Sequence, residues 1–400
     1  MNPTREEGLK KLERFLPQAG IGYAEGRNFV HGVVSGLAPY IRHRLITESE
    51  IVEALLQQHS LQEAEKFIQE ICWRTYWKGW LEMRPKIWSE YLQELGILRT
   101  RMEEDHDLHD RVQSAESGAT GIGCLDSWST ELHETGYLHN HVRMWFASIW
   151  VHTLHLPWQL GADFFMRHLL DGDPASNTLS WRWVCGLQTQ GKVYVATAEN
   201  IERFTNGRYA PHGLLAQEAP PMRESFIAHP PVPLARPDHP MTGEKTVLLV
   251  TEEDLHPEGW GIPQSDVAAI ILLDTAEAYP GIATLPTAWK RKALEGTAAR
   301  LAAEFRCPIL RIQHCEESTS VKLRTLLQEY RADSLSIMTP PVGATRSLMD
   351  PVLSELTKEG ITLGRLRRPW DDAFWPHATH GFFKLKERIP SVLKQLSLIS

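Results

Sequence analysis

Apolar positions recur at helical spacing through most of the first 200 residues. Residues 49–58 carry Ile51, Val52, Leu55 and Leu56 on one face, with Thr47 or Ser49 as the N-cap. A second helical pattern covers 62–80, punctuated by Gly79 and Pro85. Residues 142–156 are apolar nearly all round, the mark of a buried helix. A further helix is expected over 161–170, stopping at Asp171-Gly172-Asp173-Pro174. No strand pattern precedes residue 200.

The pattern changes after a stretch rich in proline. Eight of the 34 positions in 211–244 are proline, which cannot continue a helix and favours extended chain laid over a surface. Beyond it, short β-branched or apolar runs at 246–251, 267–274, 308–312, 334–338 and 362–366 alternate with helical patterns at 288–305, 321–330 and 346–358. Strands alternating with helices of this length imply right-handed βαβ units and a parallel sheet. The fold class is therefore multidomain, α and α/β. An all-helical domain is expected over 1–210, a linker over 211–244, and a parallel-sheet, Rossmann-like or flavodoxin-like α/β domain over 245–400.

Composition narrows the function classes. No apolar run reaches the ~18–20 residues of a membrane span, and the first residues lack the apolar segment of a secretory signal. The five cysteines lie far apart with no C-x-x-C pair, so free thiols in the cytoplasm are expected, and no metal site. A net charge of −8 argues against coating nucleic acid by bulk electrostatics. Of the fourteen tryptophans, ten fall between Trp73 and Trp183, either as one large aromatic core or as the lining of a pocket.

Some motifs mislead. Asp105-His106-Asp107-Leu108-His109-Asp110 has the composition of a metal tract but reads as a solvated loop. His139-Asn140-His141 spells the letters of an HNH nuclease, yet it opens a helix rather than a ββα frame. Gly121-Ile122-Gly123 lacks the preceding strand and third glycine of a dinucleotide fingerprint.

The informative block is Asp171 to Trp183. Two acids at a helix end, a tight turn, the amide of Asn177 and the alternating Trp181 and Trp183 suit one wall of a pocket. Upstream, Asn140 and Met144 stand four apart on one helical face, and a buried Arg143 needs an anion, for which Asp171 is the natural candidate. These segments, with Glu70-Ile71-Cys72-Trp73-Arg74 and Tyr23-Ala24-Glu25-Gly26-Arg27, resemble the flavin-binding domain of the DNA photolyase/cryptochrome family over residues 20–210. The resemblance implies FAD in a helical domain.

Carried over residue by residue, the resemblance implies a role for each matching position. Tyr23 and Val34, Ser35, Gly36, Leu37 and Ala38 match the adenine–phosphate segment, where backbone N–H groups near a helix start and the Ser35 hydroxyl suit a pyrophosphate. Gly36 stands where many members carry arginine. Arg74 and His139 match further flavin contacts. Arg143 and Asp171 match the ion pair beside the isoalloxazine, Asp173 a flavin-contacting position and Asn177 the residue facing N5. Glu70 matches the carboxyl that hydrogen-bonds the damaged base in cyclobutane-dimer photolyases, where burial would keep it protonated. Asn140 and Met144 match dimer-contacting residues of that class, and the (6-4) class carries histidines at both. Trp73 and Trp183 match indoles lining the cavity for a flipped-out dimer. Trp181 and Trp158 match the first two members of the tryptophan chain that photoreduces the flavin. The third would fall near Asp105, with Trp145 and Trp150 as substitutes.

DNA contact needs local positive charge, which Arg27, Arg74, Lys78, Arg182, Lys192 and Arg203 would place around a pocket mouth. His141 stands where a DNA-contacting arginine is common, which weakens that contact. The family's usual order puts an α/β antenna domain first. Here the α/β pattern comes second, which reads as a circular permutation, with an antenna chromophore of unknown identity expected at the carboxyl ends of the strands. The aromatic stretch 370–383 has no role in this scheme. The resemblance implies light-driven repair of cyclobutane pyrimidine dimers in DNA, with UV-damaged DNA as partner and neither a membrane nor an obligate protein partner. Two alternatives stand: a photosensory cryptochrome without repair, and a DNA-binding helical protein without flavin.

Overall fold

The computed structural model describes residues 2–222, 229–238, 244–315 and 318–399. Parts of the expected linker, 223–228 and 239–243, lie outside the described residues. The N-terminal region is mostly helical, and among the described residues no strand precedes Thr246. Local chemistry sets the helix starts. Thr47 and Ser60 each cap a helix in a reciprocal capping box, with Glu50 and Glu63, opening Glu48–Leu56 and Leu61–Glu82. Of the two cap residues open from the sequence, Thr47 is the one used.

The C-terminal part holds one parallel sheet. Its strands are β1 (Thr246–Val250), β2 (Val267–Asp274), β3 (Ile309–Gln313), β4 (Ser334–Met338) and β5 (Thr362–Leu366). They lie in the order β3-β2-β1-β4-β5, and every neighbouring pair is parallel. Register aligns Leu335, Val247 and Ala269 across three strands, and Ile337, Leu249 and Ile271 one step on. This face buries against Leu323 and Leu327 of the Thr319–Glu329 helix and Met349, Val352, Leu353 and Leu356 of the Ala344–Lys358 helix. Each such side chain contributes roughly 1.5–3 kcal/mol by leaving water. The β5 edge is covered: Asp238 N donates to Arg365 O at 2.8 Å, and Arg365 N donates to Asp238 Oδ2 at 2.8 Å.

Compactness does not follow chain order. One unit comprises Met1–Pro17, Ser35–Met83 and Val232–Ser400, and the other Gln18–Val34 and Arg84–Pro231. This grouping cuts across the 1–210, 211–244 and 245–400 partition. The reason is the Leu61–Glu82 helix, which carries long-range contacts to the aromatic C-terminal stretch. Trp370 Nε1 donates to Thr75 Oγ1 at 2.9 Å, and a Cβ on Gly79 would lie 2.8 Å from Trp375 Cδ1, so only glycine fits. The stretch 370–383 is thus the packing partner of that helix.

In the second unit, two expectations change. The buried apolar run of 142–156 is Asn140–Ser148 followed by a π-helical turn, Ile149–Thr153, where Leu154 N donates to Ile149 O. The supposed loop at 105–110 is a helix start instead. Asp105 caps His106–Ser117 by accepting from Leu108 N at 3.0 Å, a reading obscured by its many charged side chains. Among the described residues no group of His, Cys, Asp or Glu could hold a metal ion, and no helix is long and apolar enough to cross a membrane.

Candidate functional site

The second unit carries most of the candidate chemistry. Asp173 is the N-cap of Pro174–Val184, accepting from Ser176 N at 2.8 Å, with proline pre-set for the first helical turn. That cap orients the turn bearing Asn177. The Asn177 amide donates through Nδ2 to Ala162 O at 2.8 Å, which leaves Oδ1 as its acceptor. Just upstream, Asp171 takes two parallel hydrogen bonds from Arg143, at 3.0 and 2.9 Å. Arg143 Nε donates to Leu138 O at 2.9 Å, so all three nitrogens are directed. Burial works against the guanidinium charge, and the Asp171 carboxylate more than offsets it, raising the Arg143 pKa.

His139 caps Asn140–Ser148, its Nδ1 accepting from His141 N at 3.2 Å. Burial, then the neighbouring His141, pushes His139 down to about 4, so its ring is neutral. His141 is also lowered, by burial and then by Arg27, which brings these two sequence-selected residues together. Asn140 is exposed and Met144 half-buried, one turn apart on the same face. Tyr23 is buried on Ile21–Gly26, with Arg27 at its C-cap, while Val34 is exposed.

Trp181 is buried with its Cη2 against Gly161, where a Cβ would come within 2.3 Å. Gly161 lies one turn after Trp158 in Trp158–His168, so the two indoles meet the same helix face. Trp150 flanks Trp181 edge-on at 6.3 Å, whereas Trp145 stacks on Trp128 and donates to Asn200 Oδ1. Sequence reasoning missed the aromatic neighbours of Trp158. Tyr91 stacks on it at 5.6 Å, and Trp88 lies 5.4 Å beyond Tyr91. The signal available was the i, i+3 spacing of Trp88 and Tyr91 on one helix. Trp183 is half-buried and stacks on Tyr194 at 5.3 Å.

The first unit holds the remaining candidates. Glu70, Trp73 and Arg74 are half-buried on one face of Leu61–Glu82, spaced i, i+3, i+4. Ser35 Oγ accepts from Leu37 N at 3.3 Å, and Gly36 adopts φ +59°, a left-handed turn that brings Leu37 and Ala38 into the start of Ala38–Arg42. Lys78, chosen as a pocket-mouth cation, is instead buried, its charge felt by Asp371.

The carboxyl end of β1, where open sheets take ligands, is filled by the chain itself. Arg42 pairs with Glu253 at 2.5 and 2.8 Å, His43 Nδ1 donates to Glu252 O at 2.7 Å, and Arg44 donates to Asp371 at 2.6 Å. Arg368 takes Asp254 through two bonds at 2.8 and 2.6 Å. The complementary runs Arg42-His43-Arg44 and Glu252-Glu253-Asp254 were the signal for it.

Buried polar atoms without partners occur beside the Asn177 turn. The Ser176 and Thr178 hydroxyls, on either side of Asn177, are buried and unpaired among the described residues. Each would cost ~1–3 kcal/mol if nothing met it. Residues 67–210 match the FAD-binding domain of DNA photolyase. That stretch holds the Arg143–Asp171 pair, Asn177 and both unpaired hydroxyls. The chain is 31% identical to a deoxyribodipyrimidine photo-lyase of Streptomyces griseus over 186 residues, covering 46% of this chain and 39% of the relative. It is 29% identical to one from Alkalihalophilus pseudofirmus, covering 51% and 43%, and 28% identical to one from Thermus thermophilus, covering 58% and 53%. Among solved structures, a bacterial class III photolyase from Agrobacterium tumefaciens overlaps with a TM-score of 0.42 at 26% identity, covering 51% of this chain and 43% of that one. The chain thus spans about two-fifths of the length of the first relatives it matches.

Proposed function

We propose that this protein is a light-driven DNA repair enzyme that splits cyclobutane pyrimidine dimers. The observation that carries the reading is the bidentate Arg143–Asp171 pair preceding the capped turn of Asn177, inside the stretch matched by the photolyase FAD-binding model. FAD, when bound and reduced, would supply a photoexcitable electron donor. Arg143 would favour negative charge on the adjacent ring, its own charge secured by Asp171. Asn177 Oδ1 would accept an N–H at the position the family gives to N5, without adding a buried charge. One of the Ser176 and Thr178 hydroxyls, which face opposite sides of their helix, would supply a further donor, and Tyr23, His139 and Asp173 would complete the contacts of this unit. Val34, Ser35, Gly36, Leu37, Ala38 and Arg74 enter the flavin site through the resemblance alone.

Through the resemblance alone, Glu70 would hydrogen-bond the damaged base, Asn140 and Met144 would touch the dimer, and Trp73 and Trp183 would shape its cavity, with one face of Trp73 already taken by Phe382. Arg27 and His141 would meet the DNA backbone, with His141 neutral near pH 7 and so adding little to the salt dependence. Photoreduction would run through Trp181 and Trp158 to Tyr91 and Trp88, which take the place of an indole near Asp105. The β3-β2-β1-β4-β5 order supports a Rossmann-like rather than a flavodoxin-like sheet. A sheet placed after the matched stretch supports the permuted order. The ion network at the end of β1 supports an α/β half without an antenna chromophore at that position.

The test is direct. The reduced, FAD-containing protein is mixed with a thymine-dimer oligonucleotide and illuminated with blue light. Recovery of thymine absorbance in the light but not in the dark is expected, and no recovery by flavin-loaded protein would overturn the reading in favour of a photosensor.

A further inference from the structure

The stretch 370–383, unexplained by the resemblance, contributes to a ladder of aromatic rings in the first unit. Trp77 and Trp73 lie one turn apart on Leu61–Glu82, their centroids 5.4 Å apart. Phe382 stacks on Trp73 at 3.7 Å with the planes 13° apart, and Phe383 lies 6.2 Å further on. The inner ring, Phe382, is buried, Trp73 and Trp77 are half-exposed, and Phe383 is 74% exposed. An isolated exposed phenylalanine is unremarkable. A four-ring succession that ends in one is different, because each ring presents a π-face or edge in register with the next.

Charge accompanies the rings. The side chain of Lys384 is 70% exposed and pairs with the exposed Glu387 at 3.2 Å, while Lys386 pairs with Glu65 at 3.1 Å. Arg388 and His380 are exposed nearby in sequence. Surface ion pairs of this kind hold their partners weakly, so a phosphate can displace the carboxylate. Aromatic faces interleaved with displaceable cations are the chemistry of single-stranded nucleic acid recognition, in which bases stack and phosphates are neutralised.

We propose that Phe382 and Phe383 extend the Trp73–Trp77 stack into a platform for unpaired bases of the DNA strand bearing the lesion. This rests on the repair reading above and adds a DNA contact from the C-terminal stretch. Phe382 braces Trp73 from one side, and Phe383 is the ring that meets a base. Lys384 and Lys386 lie beside it to take the backbone.

The experiment uses the full-length, flavin-containing protein and a fluorescein-labelled duplex with one thymine dimer, with 2-aminopurine as the base beside the dimer. Phe383→Ala is expected to weaken binding by ~10-fold, the loss of one stacked base, and to change the 2-aminopurine quenching on binding. Phe383→Tyr, which keeps the ring, is expected to restore both. Because the side chain is exposed, the thermal midpoint of the alanine variant should match the parent. If the parent prefers dimer DNA and Phe383→Ala binds and quenches as the parent does, the platform is overturned while the repair reading stands. If the parent shows no preference for dimer DNA, the repair reading itself falls. A parent that is dimeric by light scattering and becomes monomeric in Phe383→Ala would overturn the platform in favour of self-association.

Discussion

Asp171 holds Arg143 through two parallel hydrogen bonds at 2.9 and 3.0 Å, while Leu138 O takes the third guanidinium nitrogen at 2.9 Å. The pair fixes a cation in one orientation, as a planar anionic ring would require. Asp171→Asn should leave that charge without its counter-ion and cost about 3 kcal/mol of stability. Urea unfolding of the parent and variant checks the stability, and the flavin-to-protein absorbance ratio should fall with it.

Asn177→Asp places a carboxylate where a neutral amide now stands. A negative charge beside the flavin should disfavour an anionic reduced ring and shift which redox form is stable. Spectroelectrochemical titration of the loaded protein checks this, and an unchanged potential would remove Asn177 from the flavin's edge.

Glu70→Ala should lower the yield of dimer repair by about ten-fold, the worth of one hydrogen bond to the reacting base. Flavin content should not change, because the proposed role of Glu70 on the Leu61–Glu82 helix is a lesion contact rather than a cofactor contact. Loss of flavin instead would reassign it.

The run Trp158, Tyr91, Trp88 gives a second set of outcomes. Trp158→Phe should block photoreduction of bound flavin yet spare repair by chemically reduced protein. Trp88→Phe should slow photoreduction, and Trp150→Phe, on the other flank of Trp181, should not. Time-resolved absorbance of the indole radical separates these cases.

Stability should fall on mild acidification. Burial, then the charges of Arg42 and Lys290, pushes His43 down to about 3, so it is neutral when folded. The unfolded chain takes up that proton near pH 6.5, so stability is lost as pH falls from 6.5 toward 3. The loss attributable to His43 is about 2 kcal/mol between pH 8 and pH 5. His139, pushed down to about 4, adds in the same direction. Asp254 acts in a lower window: burial opposes its charge, but Arg368 and Arg44 bring it to about 2, so its contribution is lost between pH 3.8 and 2. Urea midpoints at pH 8, 6.5 and 5 test this, with His43→Gln expected to flatten the upper window.

Much of the element pattern was legible from local chemistry. The bounds of β2, β4 and β5 match the apolar runs, and the capping boxes at Thr47 and Ser60 are written in four consecutive residues. The Arg143–Asp171 pair was legible too, since a buried guanidinium needs an anion and few were available. Asp105 was misread because a cap and a solvated loop share their composition. Lys78 was misplaced because nothing local distinguishes a buried lysine from a surface one.

The sequence by itself determined the five strands with the helices that alternate with them, and which residue types meet at the Asn177 turn. Both depend on neighbours within a few positions, through periodicity and capping. Only the tertiary structure decided that residues 35–83 pack with the sheet-bearing C-terminal part, that Phe382 covers Trp73, and that Arg42, His43 and Arg44 fill the end of β1. Those side-chain contacts join positions from 209 to 327 residues apart. They depend on complementary surfaces and charges meeting in space, which short-range pattern does not encode.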